Sequence, residues 1–344
     1  MKDWLTAALR APGVLVTVAI VEGSVPREPG ARMLVTREGL AGTIGGGHLE
    51  HRAIELARAM LEEGGAQGEI ARIERFALGP SLGQCCGGIA HLAFEAVDRD
   101  QVALLGGRRN EDTWRVVALG DASMGWALFD GAGHRLAGAD VPPFDRTRGT
   151  HVFTDASGRR WLADAVPAPR DHLMLFGAGH VGAAIVRALA ELPCRVTWVD
   201  EREDMFPDAS ELPANVMVEA TDIPEALVAQ AAPGTTFLVL THSHALDLRL
   251  AFAILSRPAR AANRSDWFGL IGSDTKRRQF EHRLRERGID AARLAAMVCP
   301  IGLPGITGKA PAVIAIAVAA QLLTVWEGAL AAQPGLLEAS SEPN

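Results

Sequence analysis

Cysteine is scarce in this chain. Only four stand among 344 residues, too few for the disulfide framework of a small secreted domain. No secretory signal is visible at the N-terminus. MKDWLTAALRAPG has an acid among its first residues and only a short apolar run. The two absences together predict a reducing, cytoplasmic setting. Positive charge is not in excess either. The formal net charge is −7, a poor footprint for non-specific nucleic-acid binding. A membrane-length apolar run is missing. The most apolar stretch, AVIAIAVAAQLLTVW from Ala312 to Trp326, has 15 residues and contains Gln321. A bilayer span takes about 20, so a buried helix is expected and no membrane association. There is no internal repeat and no long low-complexity tract. What remains is a chain with 48% hydrophobic residues, long enough for two domains with substantial cores.

The first half reads as a β-rich α+β domain, residues 1–165. VLVTVAIV (14–21) is an apolar, β-branched run of strand length, and ARMLVT (31–36) and AGTI (41–44) flank a Glu38-Gly39 turn. Apolar residues at helical spacing run from Leu49 to Glu62. Strands are expected again around 70–77 and 89–97. From about 100 to 165, short apolar runs separated by Gly, Asp and Pro predict hairpins. VPAPR (166–170) carries two prolines in five residues and reads as a linker. The second half, 171–332, alternates strand and helix patterns. Such alternation predicts a doubly wound parallel sheet of Rossmann-like type. The last residues, 333–344, read as a flexible tail.

Several glycine loops sit where strands meet helices. Gly177-Ala178-Gly179-His180-Val181-Gly182 is a G-x-G-x-x-G that follows a predicted strand and opens a predicted helix. Asp200 closes the next strand. That context fits a dinucleotide fingerprint, with phosphate on the helix N-terminus. Asp200 then either holds a ribose hydroxyl or caps the turn that follows it. Gly45-Gly46-Gly47 stands before a helix and is a second candidate anion cradle, or simply a tight turn. Arg27, in the Pro-punctuated loop GSVPREPG (23–30), is a candidate phosphate partner. GLPGITGKA (302–310) fails as a P-loop, because Leu303 and Ala310 stand where Gly and Ser or Thr are required. It still brings Lys309 to the rim ahead of a helix. GSDTKRR (272–278) adds hydroxyls and three cations to the same side. His242 and His244 lack a third ligand and read as polar lining.

Two of the four cysteines are adjacent, in GQCCGG (83–88). A disulfide between them is disfavoured, since adjacent Cα atoms lie only about 3.8 Å apart. A structural zinc site needs four ligands, and no second C-x-x-C completes one. Two packed thiols are the plain alternative. The glycines around Cys85 and Cys86 leave room for a bulky partner, and thiolates are soft metal ligands and sulfur nucleophiles. Cys85 and Cys86 are therefore candidate ligands or sulfur carriers.

Six stretches carry a resemblance to a known family. They are GSVPREPGARMLV (23–35), GTIGGGHLE (42–50), LGQCCGG (82–88), FGAGHVG (176–182), LIGSDTKRR (270–278) and CPIGLPGITGKAPAVIAIAVAAQLL (299–323). In this order they resemble the xanthine dehydrogenase accessory proteins of the XdhC family. The resemblance implies a molybdenum-cofactor chaperone. It would bind the cofactor, shield it while a cysteine desulfurase supports its sulfuration, and promote its insertion into the molybdenum-binding subunit of xanthine dehydrogenase. It also implies that Cys85 and Cys86 handle the cofactor, as molybdenum ligands or as sulfur carriers. A homodimer is expected from the commonness of symmetric pairs. Two alternatives stand beside this reading: an NAD(P)-dependent oxidoreductase using the Rossmann-like half, and a docking scaffold that binds no small molecule.

Overall fold

The structure, a computed structural model, describes residues 4–63, 71–79, 87–120, 125–258 and 266–331. The chain divides into two compact units, Met1–Ala168 and Pro169–Asn344. The tail expected over 333–344 lies outside the described residues.

The first unit begins with α1 (Trp4–Ala8), β1 (Gly13–Glu22), β2 (Arg32–Thr36), β3 (Leu40–Gly42) and α2 (Gly47–Glu62). It continues with β4 (Ala71–Ala77), β5 (Ile89–Ala96) and α3 (Arg99–Gly106), then β6 (Thr113–Leu119), β7 (Trp126–Asp130), β8 (Arg135–Gly138), β9 (His151–Thr154) and β10 (Arg160–Val166). The strands form two antiparallel sheets, ordered β3-β2-β1-β5-β4 and β8-β7-β6-β10-β9. β1 is buried on both faces, which is why it reads as a continuous apolar run. Val14, Val16 and Val18 face α2, where they meet Leu49, Ala53, Ala57 and Met60. On the alternate face Leu15 packs with Leu34 and Leu128, and Ala19 with Leu162. That alternation follows from the period of two along a strand. Between the sheets lies a buried ionic cluster. Arg115 donates to Glu95, to Asp164 at 3.0 Å and to Gln101 at 3.1 Å, and Arg32 also donates to Asp164. Burial pushes the Glu95 pKa up, against the pull of Arg115.

Residues 100–165 do not begin with hairpins as the sequence predicts. They begin with α3, capped by Asp98, whose side chain accepts from the Gln101 N–H at 2.9 Å. A helix this short gives little periodic signal, and its turn-rich flanks hide it.

The second unit contains β11 (Asp171–Phe176), α4 (His180–Leu189), β12 (Cys194–Asp200), a 3₁₀ turn (Glu203–Met205), β13 (Val216–Ala220) and α5 (Pro224–Gln230). There follow β14 (Thr236–Val239), α6 (His244–Ser256), β15 (Trp267–Leu270), α7 (Asp274–Glu286), α8 (Ala291–Ala296), β16 (Met297–Val298) and α9 (Pro311–Ala331). Its six strands are ordered β13-β12-β11-β14-β15-β16, and every pair is parallel. This is the Rossmann order, with its reversal between β11 and β14. Leu173 and Leu175 face α4 and α9, against Ile185, Val318 and Leu322. Met174 and Phe176 face the other way, with Leu250, Ile254 and Phe280 of α6 and α7. Among the described helices, α9 alone is long and apolar enough to cross a membrane by length and composition. One side of it is core, as expected of a buried helix, while Ile316 on another side is 61% exposed.

Candidate functional site

In the first unit, three sequence motifs meet at one rim. Gly88 donates its N–H to the Ser24 carbonyl at 3.0 Å, and its carbonyl accepts from the Leu78 N–H at 2.9 Å. A Cβ on Gly88 would lie 2.4 Å from the Ser24 oxygen, so only glycine permits this approach. A Cβ on Gly45 would lie 2.4 Å from Pro26 Cβ, and φ there is +119°. The loop at 23–28 is thus pinned on one side by the residue after the Cys-Cys-Gly run and on the other by the glycine turn. Gly23, Ser24, Gly45, Gly47, His48 and Gly87 are all exposed at this rim. Arg27 is half-buried and donates to Glu28 at 3.2 Å. Cys85 and Cys86 lie outside the described residues, immediately before Gly87.

The glycine turn here is less free than its sequence suggests. Gly46 precedes the first residue of α2 and its N–H donates to Glu50 Oε2 at 3.1 Å. The same oxygen accepts from the Ile44 N–H at 3.2 Å and from Thr43 Oγ1 at 2.6 Å. The Gly45 N–H donates to Thr43 Oγ1 at 3.1 Å. A protein carboxylate therefore sits where the sequence offers a cradle for an external anion. Sequence reasoning missed Glu50. Its signal was an acid in the first turn of a helix whose preceding residues carry no side-chain cap.

In the second unit the turn at 177–182 is built differently. The Gly177 N–H donates to the Val199 carbonyl at 2.8 Å. A Cβ on Gly182 would lie 2.1 Å from the Gly177 carbonyl oxygen, which accounts for the third glycine of the pattern by close helix–strand packing. Gly179 precedes α4, whose first turn receives no side-chain cap, and the space a Cβ would take at Gly179 is open. His180 is exposed beside it. By contrast α6 and α7 are capped by Ser243 and Ser273.

Asp200 is already committed. Its Oδ2 accepts from the Ala178 N–H at 2.7 Å and from Arg202 Nη2 at 3.1 Å. Its Oδ1 accepts from the Arg202 N–H at 3.0 Å and Nε at 2.9 Å. Burial disfavours its charge, but Arg202 and the Ala178 N–H outweigh that and lower its pKa. Of the two roles the sequence allowed, Asp200 here performs the capping one. A ribose diol would have to displace these donors.

The remaining rim residues divide in the same way. Lys309 stands exposed in the loop ahead of α9. Lys276, one of the three cations that the sequence brings to this side, does not stand open there. It is buried, donating to Asp247 at 2.7 Å and to the Ile271 carbonyl at 2.8 Å. Asp247 also accepts from the Thr241 N–H at 3.0 Å, so this pair ties together the loops that follow β14 and β15. No group of three His, Cys, Asp or Glu side chains among the described residues is arranged to hold a metal. Cys194 and Cys299 are buried, and burial raises the Cys194 thiol to about 11 and the Cys299 thiol in the same direction, so both are inert packing residues.

The family model for the XdhC Rossmann domain matches residues 173–322. That for the XdhC and CoxI family matches residues 7–76. The adjacent cysteines fall between the two. The uncharacterized protein YqeB of Escherichia coli K12 is 29% identical over 195 residues, covering 56% of this chain and 34% of YqeB. The MnmC bifunctional protein of tRNA 5-methylaminomethyl-2-thiouridine biosynthesis from Ralstonia nicotianae is 30% identical over 162 residues, 42% of this chain and 24% of that protein. The matches thus span about a third of one of these curated relatives and about a quarter of the other. A solved structure described as a xanthine dehydrogenase from Bacillus halodurans superposes with a TM-score of 0.69 at 19% identity, covering 98% of this chain and 99% of that one. At that identity the likeness concerns the fold alone. With one family model on each unit, this chain belongs to the XdhC family.

Proposed function

We propose that this protein is an accessory protein of xanthine dehydrogenase maturation, and that its cargo is the molybdenum cofactor. Family membership supports the general role. The observation that carries the specific one is the rim of the first unit. There Gly88 is locked onto Ser24 and Gly45 onto Pro26, next to the exposed Gly87 that follows Cys85 and Cys86. Glycines leave the rim open to a bulky cargo, and the two thiols supply soft ligands for molybdenum or a carrier for sulfur. The N–H donors of the turn before α2 are taken by Thr43 and Glu50, so this reading does not seat the cargo's phosphate there. A cysteine desulfurase and the molybdenum-binding subunit of the client enzyme are the partners this reading requires.

The test is retention. The protein is purified from cells making the cofactor, beside a Cys85→Ala/Cys86→Ala variant, and molybdenum and released oxidised pterin are measured per chain. Co-purification that falls at least about tenfold in a folded variant is expected, the loss of roughly 1.4 kcal/mol or more of binding. Equal retention by the folded variant removes the thiols from the site. No retention by either, even with cofactor supplied directly, removes the cargo.

A second reading, a nicotinamide-dependent oxidoreductase, draws on the Rossmann strand order and the glycine turn. The four hydrogen bonds that occupy Asp200 weigh against it. Titration with NAD(H) and NADP(H), read by calorimetry, separates the two.

A further inference from the structure

Helix α9 has three sides in different surroundings. Ala315, Val318, Ala319, Leu322 and Trp326 are buried against α4 and the sheet. A second side is covered by the chain's own loop, where the Leu303 N–H donates to the Ala317 carbonyl at 3.3 Å and the Gly302 N–H to Gln321 Oε1 at 2.8 Å. The third side carries the exposed Val313 and Ile316 and, at its margin, the half-buried Ala320 and Leu323, the latter also packed against the chain's own core. These recur at i, i+3, i+7 and i+10, the spacing of a helix–helix seam. Val313 is 39% and Ile316 61% exposed, and Ile306 in the preceding loop is 45% exposed. No charged residue falls between Lys309 and Glu327, and these two are exposed at opposite ends of the seam.

We propose that a second copy of this chain docks on this face, with the two α9 helices antiparallel about a two-fold axis level with Val318. The seam is self-complementary in that register. Lys309 meets the partner's Glu327, Val313 meets the partner's Leu323, and Ile316 meets the partner's Ala320. Large residues oppose small ones at the centre, and opposite charges close both ends. Two-fold symmetry makes each contact twice, which is how a short apolar face doubles its buried area. A membrane surface fits less well, since helices that lie on lipid are usually flanked by cations, and here one end is acidic.

The oligomeric state of the full chain is read by analytical ultracentrifugation across micromolar concentrations. A dimer is expected. Ile316→Glu, at an exposed position, places two carboxylates in the seam and weakens the dimer at least about 100-fold, while circular dichroism stays unchanged. Lys309→Glu weakens it about three- to tenfold at low salt, and adding Glu327→Lys restores it. Register is read by oxidation in a Cys85→Ala/Cys86→Ala background. A mixture of Val313→Cys chains and Leu323→Cys chains forms a mixed disulfide. Val313→Cys chains alone do not, because ten residues of helix hold the two copies about 15 Å apart. A monomer throughout, a dimer indifferent to Ile316→Glu, or self-linking of Val313→Cys chains overturns the proposal.

Discussion

Two glycine turns introduce helices in this chain, one before α2 in the first unit and one before α4 in the second. Both use glycine for close approach: Gly45 against Pro26, and Gly182 against the Gly177 carbonyl. They differ in what holds their N–H groups. Before α2, Glu50 takes the N–H groups of Ile44 and Gly46. Before α4, the Ala178 N–H goes to Asp200, and the helix start itself receives no side-chain cap. Glycine grants a turn its shape, but a carboxylate within reach decides whether the turn remains an anion site. In the first unit that carboxylate lies inside the helix. In the second it comes from the neighbouring strand and reaches only the edge of the turn.

The sharpest way to separate shape from ligand access is to fill the glycines of the second turn one at a time. Gly182→Ala sets a Cβ 2.1 Å from a backbone oxygen, and a loss of about 3–5 kcal/mol is expected in urea unfolding, because backbone must move to admit it. Gly179→Ala meets open space and should cost under about 1 kcal/mol. Similar losses at both positions would mean that the turn is packed throughout and has no room for an anion.

The next largest effect is expected in the first unit. Glu50→Ala leaves the Ile44 and Gly46 N–H groups and Thr43 Oγ1 without their acceptor. A loss of about 1–3 kcal/mol follows. The freed donors should then accept sulfate or phosphate, so either anion should raise the Tm of the variant more than that of the parent protein. Equal shifts in both would show that Glu50 does not stand in for an anion.

The smallest effect concerns acid stability. The folded pKa of Asp200 is lowered, so its ionised form favours the native state. That contribution is complete above the unfolded value of about 3.9 and is lost as pH falls through the lower folded value. Asp200→Asn should flatten this acid limb and leave the slope near neutrality unchanged. An unaltered acid limb would mean that Arg202 and Ala178 do not hold the carboxylate in solution.

His172 offers a check outside both turns. Burial, with the nearby Arg195 charge, holds it down to about 4. Its neutral form is the native one, so its stabilisation is complete above its unfolded value near 6.5 and is lost as pH falls toward 4. His172→Gln should remove that portion of the pH profile.

Much of this was legible along the chain. β1 declared itself by a β-branched run, α2 by its helical spacing, and the second unit by alternating strands and helices around a G-x-G-x-x-G. Helix α3 was not legible, because eight residues between turns give too few repeats to show a period. At the rim, the sequence named Arg27 and the glycines at 45–47, but not Glu50. Nothing in a carboxylate's type tells whether it faces solvent or its own backbone. Lys276 reads like its neighbours Arg277 and Arg278, and only its approach to Asp247 sets it apart.

The sequence by itself determined the periodicities, and with them the two units, the family and the glycines that tight turns demand. These are local properties, set by dihedral freedom and by the spacing of apolar side chains along one strand or helix. The tertiary structure decided which polar groups remain available. Glu50 fills one turn, Arg202 and Ala178 bind Asp200, Asp247 buries Lys276, and α9 keeps one apolar side uncovered. Those outcomes depend on hydrogen bonds and contacts a few ångströms long, and for Asp200, Lys276 and α9 they arise between segments that only the fold brings together.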